Sequence, residues 1–339
     1  MKLAFIGANG KIGTELCFLL KDEVDIIPIV RNKLGAVFLN HNGFKCRIAD
    51  ISQENDAKES LNDADVVVIS SYAADPFSGS ETLASRKINE DLVKNSVRFA
   101  NEKATVIYFS SIRAFSHNVD NTTSRFWSYP SYDKEKQHLE RLVFSECKNR
   151  NIRCFALRLG HVLGDHQPFT KQIKKFLSTK KVVVRASPER KSNVLHTVTL
   201  KDAILRCMQP EVNPGLYSVV NNPQWTWKCL FEYYNSQKTQ IEFKPDIPSP
   251  KNTNDILWKI LKSFKKYLVP FRYYLPSKFD TSFERKLIMK RIHSAISALN
   301  DEESISLVWS GYEPIPGPFL PGLEETSKLL KTYSLNVFN

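Results

Sequence analysis

Tyr132 and Lys136 stand four residues apart, a spacing that puts both side chains on one face of a helix. An ammonium beside a phenol favours the phenolate and lowers a pKa that starts near 10. Such a tyrosine can pass a proton to and from a substrate hydroxyl or carbonyl near neutral pH, while a nicotinamide exchanges the hydride. Upstream, the run Phe109-Ser110-Ser111-Ile112-Arg113 ends an apolar stretch on two serine hydroxyls, one of which could orient the same oxygen. Taken alone, Tyr-x-x-x-Lys is also the spacing of an ordinary exposed packing pair. Its place after the two serines and behind a second motif points to chemistry.

That second motif is Gly7-Ala8-Asn9-Gly10-Lys11-Ile12-Gly13, which follows the apolar run Leu3-Ala4-Phe5-Ile6 and precedes Thr14-Glu15-Leu16-Cys17-Phe18-Leu19-Leu20. The first run suits a buried strand, and the second continues as a helix. Strand, glycine turn and helix start together form a seat for a dinucleotide pyrophosphate. The glycines permit a tight turn, close backbone approach and close helix–strand packing. The helix N-terminus offers unpaired N–H groups and a partial positive charge. The spacing is Gly-x-x-Gly-x-x-Gly, distinct from Gly-x-Gly-x-x-Gly, and a turn of this kind also occurs for structural reasons alone.

The elements that must carry these motifs alternate through the first half of the chain. Apolar runs predict strands at 3–6, 26–30, 45–48, 66–69, 105–109 and 153–157, and periodicity predicts helices at 12–20, 84–102 and 133–147. Alternation of this kind predicts an α/β fold, a Rossmann-type doubly wound parallel sheet with helices on both faces. From Asp165 the rhythm breaks into shorter elements, with a Lys-rich helix near 171–177 and a strand at 182–184. The division expected is therefore a nucleotide-binding domain over 1–164 and a smaller C-terminal α/β substrate-binding part over 165–339. Pro245, Pro248 and Pro250 mark 243–254 as an extended connector.

At 339 residues and 42% hydrophobic, the chain can bury one large core or two modest ones. No apolar stretch approaches the roughly 20 residues of a spanning helix. The first apolar run meets glycines, Asn9 and Lys11 at once, unlike a signal peptide. Cys17, Cys46, Cys147, Cys154, Cys207 and Cys229 show no paired or metal-ligand spacing, so buried free thiols in a reducing, cytoplasmic setting are expected. His161, His166 and His196 match no zinc motif, and no metal is expected.

The net charge of +12 is concentrated: residues 251–293 hold 11 Lys or Arg against 3 Asp or Glu. No nucleic-acid-binding motif accompanies that charge, so nucleic acid is not an expected partner. Within this basic amphipathic insertion, Ile256, Leu257, Ile260, Leu261, Phe264, Tyr267 and Leu268 share one arc of a helical wheel. Lys259, Lys262, Lys265 and Lys266 take the opposite side, and aromatic residues follow to Leu275. Such a composition suits a helix lying on an anionic membrane, here peripheral contact through 256–275 on the inner face. It also suits a surface helix packed on its own domain, or a partner-protein surface.

The ordered set of motifs resembles the extended short-chain dehydrogenase/reductase superfamily, the NAD-dependent epimerase/dehydratase family. The pieces are Gly7-x-x-Gly10-x-x-Gly13, Asp50 after the third strand, Asn89 before the fifth, Ser110-Ser111, Tyr132-x-x-x-Lys136 with Glu140, and Leu157-Arg158-Leu159-Gly160-His161-Val162-Leu163-Gly164. His196 to Asp202 and Gly215 to Val219 continue the order, so that the resemblance spans roughly residues 1–235. It implies that Tyr132 is the acid/base, that Lys136 holds the nicotinamide ribose and depresses the tyrosine pKa, and that Ser111 rather than Ser110 binds the substrate oxygen. It implies further that Asn9, Gly10, Lys11 and Ile12 carry the pyrophosphate, that Asp50 and Ile51 flank the adenine, and that Ser71 and Ala73, with Asn89, line the cofactor beyond the fourth strand. The implied activity is oxidoreduction or epimerisation of a sugar on a nucleotide or lipid diphosphate, in cell-surface polysaccharide assembly, by a protein that could be a homodimer. A non-catalytic NAD(P)-binding redox sensor or assembly factor on the same fold is the other class of reading.

Three departures from the family pattern bear on detail. The second strand ends on Ile29-Val30-Arg31-Asn32, with an arginine and no acid; Arg31 suits a 2′-phosphate and favours NADP over NAD, or else is a solvated neighbour of Lys33. Proline is absent after Arg158, and Thr199 stands where an acid is common. The basic pair Arg190 and Lys191 precedes His196, where family members often hold a substrate phosphate; a plain basic loop reads the same way.

Overall fold

A computed structural model of the chain describes residues 1–74, 82–115, 132–179, 181–236, 238–245, 305–307 and 314–332. The basic insertion 251–293, its helix and the proposed membrane segment 256–275 lie outside the described residues.

Seven strands form one parallel sheet: β1 (Lys2–Ile6), β2 (Asp25–Val30), β3 (Arg47–Ile48), β4 (Val66–Ile69), β5 (Thr105–Ser111), β6 (Arg153–Leu159) and, late in the chain, β10 (Gly215–Val219). Their order is β10-β6-β5-β4-β1-β2-β3, and every pairing is parallel. The strands are near-continuous apolar runs because both faces are covered. On β1, Leu3 and Phe5 enter one core while Ala4 and Ile6 enter the other. The first core is closed by α1 (Lys11–Leu20), α2 (Lys33–His41) and α7 (Thr197–Cys207); the second by α3 (Glu54–Leu61), α4 (Leu83–Arg98) and α5 (Tyr132–Asn149). The sheet is thus doubly wound, as the alternation predicts. The order in which strands are added reverses between β1 and β4, with β2 and β3 to one side of β1 and β4 onward to the other, and ligands of such sheets bind outside the strand C-termini at that switch point.

The chain divides into two compact units. The first comprises Met1–Ile173, Glu189–Leu230 and Tyr312–Asn339; the second comprises Lys174–Pro188 and Phe231–Gly311. This differs from a single break after residue 164, and the reason is hydrogen bonding. β10 pairs with β6 along its whole length, Gly215 opposite Phe155 through Val219 opposite Leu159. A late strand therefore completes the nucleotide-binding sheet. Also in the first unit, β7 (His161–Leu163) pairs with β9 (Val194–His196). The first unit also holds α9 (Thr326–Lys331), where the Thr199 and Thr326 hydroxyls meet at 2.8 Å and the Glu324 N–H donates to Asp202. Thr199, at a position where an acid is common, thus anchors the C-terminal segment. The second unit carries three parallel strands, β11 (Gln240–Phe243), β8 (Lys181–Val184) and β12 (Ile305–Leu307), with β8 central. The unit boundaries fall at residues of α6 (Pro168–Leu177) and α8 (Trp227–Tyr234).

Candidate active site

The glycine turn stands at the switch point. Gly7 takes a φ of +85°, the left-handed region that a side chain disfavours. Its N–H and that of Ala8 both donate to Ile29 O, at 3.1 and 3.3 Å, and Gly10 N–H closes the turn on Gly7 O. A Cβ on Gly7 would press on Ser70 Oγ and Ser71 N at the end of β4, and one on Gly13 would run into the Gly7 carbonyl. The turn, α1 and the β4 end are therefore packed backbone to backbone. Gly10 caps α1 without a side-chain hydrogen bond, and the first turn holds no acid. The N–H groups of Lys11, Ile12 and Gly13 have no intrahelical acceptor by helix geometry, so they face outward with the helix dipole behind them. A pyrophosphate fits this cradle, and a side chain at Gly7 or Gly13 would destroy it.

The neighbouring strand ends carry the adenosine-side candidates. Arg31 is exposed immediately after β2, and Asn32 caps α2 by accepting from Gly35 N–H at 2.9 Å. The Asn9 amide lies across the bare Gly35, where a Cβ would come within 2.6 Å of it. Asp50 Oδ1 accepts from both the N–H and the hydroxyl of Ser52, while Asp50 N–H donates to Asp56. Ile51 is buried, and Asn95 reaches from α4 to its carbonyl.

Beyond β4 the chain passes Ser70, Ser71, Tyr72 and Ala73. Asn89, buried on α4, binds Ala73 at both ends of its amide: it accepts from Ala73 N–H at 2.7 Å and donates to Ala73 O at 3.0 Å. Asn89 thereby fixes in place the loop that the resemblance expects to line the cofactor. Tyr72, next in line, meets Tyr132 edge to face at 5.2 Å. The β4 loop thus joins the glycine turn to the Tyr132–Lys136 pair.

Lys136 is wholly buried on α5. Its Nζ donates to Phe109 O at 3.0 Å and to Tyr108 Oη at 3.3 Å. The rings of Tyr72, Tyr108 and Tyr132 stand around it, their centres 4.7, 5.0 and 5.8 Å from Nζ. Burial pulls the Lys136 pKa down to about 8, against the opposing pull of Glu140 and Glu135. Burial also raises the Tyr108 phenol well above its usual range, and it stays protonated. The two serines divide their work. Ser110 donates to the buried Glu140 at 2.5 Å, and Glu140 in turn forms a two-pronged pair with Arg158 at 2.9 and 2.7 Å. Ser111 remains at the strand end, where its hydroxyl accepts from Arg113 N–H. Arg113 also pairs with Asp133 and lies over the Tyr132 ring.

Arg190 and Lys191 fall on the approach to β9. Arg190 O accepts from Trp227 N–H, and Lys191 lines a cavity of about 610 Å³ with Ser218, Val220, Ile315 and Phe319. His161 and His196 are half-buried, and loss of solvent around each ring takes its pKa down to about 4, so both are neutral at pH 7. His196 caps α7, accepting from Val198 N–H. Among the described residues, no three His, Cys, Asp or Glu side chains gather as a metal site, and no helix is long and apolar enough to cross a membrane. Of the six thiols, Cys17, Cys147, Cys154 and Cys207 are buried, whereas Cys229 is exposed.

Solved structures share this architecture at low identity. UDP-N-acetylglucosamine 4-epimerase from Methanobrevibacter ruminantium M1, in complex with UDP-N-acetylmuramic acid, is 19% identical with a TM-score of 0.54, over 73% of this chain and 86% of that one. UDP-glucuronic acid 4-epimerase from Bacillus cereus, in complex with UDP-glucuronic acid and NAD, is 18% identical with a TM-score of 0.53, over 73% and 87%. A partial-consensus L-threonine 3-dehydrogenase is 15% identical with a TM-score of 0.53, over 73% and 86%. These likenesses are of fold. No curated protein matches the chain in sequence. A family described as NAD(P)H-binding matches residues 7–192, from the first cradle glycine to the approach to β9. More than half of the chain is thereby accounted for, and the chain belongs to this NAD(P)H-binding family.

Proposed function

We propose that this protein is an NAD(P)-dependent oxidoreductase or epimerase acting on a sugar carried by a nucleotide or lipid diphosphate, with NADP the preferred cofactor. The observation that carries the reading is Lys136. A completely buried lysine is costly. Here it is fixed by Phe109 O and Tyr108 beside Tyr132, one short loop away from a pyrophosphate cradle. The sugar class is supported by neighbours of the same fold that are UDP-sugar epimerases. Arg31, exposed at the end of β2 with no acid in the strand's last residues, supports NADP.

When bound, the nicotinamide supplies or accepts the hydride. The backbone N–H groups of Lys11, Ile12 and Gly13 hold the diphosphate, and Arg31 takes the 2′-phosphate. Lys136, charged at neutral pH, favours the Tyr132 phenolate. Tyr132 then takes the proton from a substrate hydroxyl as a ketone forms, or returns it as the ketone is reduced. Ser111 donates to the same substrate oxygen and fixes its distance from Tyr132. Reduction of a keto-sugar and epimerisation through a transient ketone use these same groups. Assembly of cell-surface polysaccharide is the setting in which such substrates occur.

The test is a panel of nucleotide sugars incubated with NADPH or NADH, with product isomers and hydride transfer both followed. Tyr132→Phe is expected to abolish turnover while NADPH still binds, and NADPH is expected to outperform NADH. Unchanged turnover in Tyr132→Phe would remove the proposed mechanism. Cofactor binding without turnover in the parent would favour a sensor on the same fold.

A further inference from the structure

Tyr108 is used by none of the steps above, yet it is the side chain that meets Lys136 most intimately. It sits in the middle of β5, flanked by Ile107 and Phe109, which belong to the opposite core. Strand alternation therefore sends Tyr108 toward α5. Only 1% of it is exposed, so its phenol is a polar group placed deep inside an apolar cluster of Val106, Leu139, Val143 and Ala156. A buried hydroxyl there is unfavourable unless it is hydrogen-bonded, and phenylalanine would fill the same space without that cost. The partner it finds is the Lys136 ammonium, at 3.3 Å from Oη and 5.0 Å from the ring centre.

We propose that Tyr108 is a positioning residue for Lys136: its hydroxyl and ring hold the buried ammonium charged and aimed between Phe109 O and the Tyr132 ring. A protein interior offers a lysine no water, so each N–H needs an acceptor or an aromatic face. Phe109 O and Tyr108 Oη take two of the three protons, and the rings of Tyr72 and Tyr132 border the rest. The charges around the pocket are accounted for. Glu135 and Glu140 on α5 favour the ammonium. Arg158 on β6 is neutralised by Glu140, Arg86 on α4 lies 3.6 Å from Glu135, and Arg113 pairs with Asp133. Tyr108, protonated at all working pH, adds to this set a neutral dipole aimed at the cation. It would thereby keep Lys136 charged over the pH range in which Tyr132 must be activated.

The inference rests on the proposed role of Lys136, but its test does not require turnover. The protonation of Lys136 is read in the folded, full-length protein from the pH dependence of its 13Cε chemical shift in 13C-lysine-labelled protein, a measurement that needs no reagent to reach the buried amine. Tyr108→Phe keeps the ring and removes the acceptor, and its Lys136 midpoint is expected to fall by about half a unit to one unit. In Tyr108→Leu, which also removes the ring, the midpoint is expected to fall further. Should either variant fail to accumulate as a folded protein, the other carries the same measurement. Where a substrate is in hand, kcat in Tyr108→Phe is expected to drop about 3- to 10-fold, with its alkaline limb displaced to lower pH and KM for the sugar unchanged. A Lys136 midpoint that stays with the parent in a folded Tyr108→Phe overturns the inference, whether or not the protein turns over any sugar. A midpoint that falls in a protein without turnover sustains it and counts against the proposed function alone.

Discussion

A buried lysine is a liability to the fold and an asset to the site, and Lys136 shows both. Its folded pKa of about 8 lies below the ordinary 10.5, chiefly because burial penalises the charge. Between those two values the unfolded chain binds a proton that the folded chain has released, so stability rises with pH across that window. Below pH 8 the full cost is present, on the order of 3 kcal/mol for a shift of this size. Lys136→Met should therefore raise the unfolding free energy at pH 7, by roughly 1–3 kcal/mol once lost hydrogen bonds to Phe109 and Tyr108 are set against the gain, while turnover is lost. Denaturant unfolding of both proteins at pH 7 and pH 9.5 checks the sign. The variant's advantage must shrink at the higher pH, and an equal advantage at both would show that the charge is not its source.

The elements that seat the cofactor are held together by a residue that the sequence does not advertise. Glu15 reads as one more polar residue in an amphipathic helix, yet it is buried on α1. It accepts from Thr197 Oγ1 at 2.6 Å, from Gln167 Nε2 at 2.8 Å and from Asp165 N–H at 3.2 Å. Gln167 also donates to Lys11 O, so one carboxylate ties α1, whose N-terminus is the proposed phosphate cradle, to the start of α7 and to the loop ahead of α6. A side chain at Gly164 would collide with it. Glu15→Leu would take the acceptor from two buried side chains, the Thr197 hydroxyl and the Gln167 amide, at about 1–3 kcal/mol each before relaxation, and from the N–H of the exposed Asp165. We expect a loss of at least about 3 kcal/mol in unfolding free energy, with cofactor affinity reduced as well, because the α1 N-terminus loses its brace. A loss below about 1 kcal/mol would show that water or rearrangement replaces the carboxylate. The contrast with Gly7 and Gly13 explains what was legible. A glycine turn behind an apolar run declares itself locally, whereas Glu15 acquires its meaning from residues 150 and more positions away. The same distinction separates Tyr132 and Lys136, visible as a helical pair, from Tyr72 and Tyr108, which join them only through strand order. Helices α2 and α3 were not expected: α3 offers only Ala57 and Leu61 as apolar residues, and α2 bunches its apolar residues around Gly35 and buries only Ala36 and Leu39, so neither shows a clear helical stripe.

At the scale of the whole molecule, the parallel alternation foretold the first six strands, but not that β10 would return to the same sheet after residue 164. A strand of five residues, Gly215-Leu216-Tyr217-Ser218-Val219, has no periodicity that tells one sheet from another; its address is set by the β6 edge it pairs with. Its return brings β9 and α7 into the first unit, together with His196, while His161 enters on β7, the partner of β9. Both imidazoles are neutral because burial lowers their pKa to about 4. As pH falls from 6.5 toward 4, the unfolded chain takes up protons that the folded chain refuses, so stability present above pH 6.5 is progressively lost. Each histidine should account for about 2 kcal/mol by pH 5. Urea unfolding at steps from pH 7 to pH 5 should show this decline, above the range where most carboxylates titrate. His161→Phe should lose only about half of the decline, since it removes one of the two refused protons and keeps an aromatic ring against Phe169. Parallel pH profiles for the variant and the parent would mean that His161 gains a proton within the fold, and that the acid sensitivity of the molecule arises elsewhere.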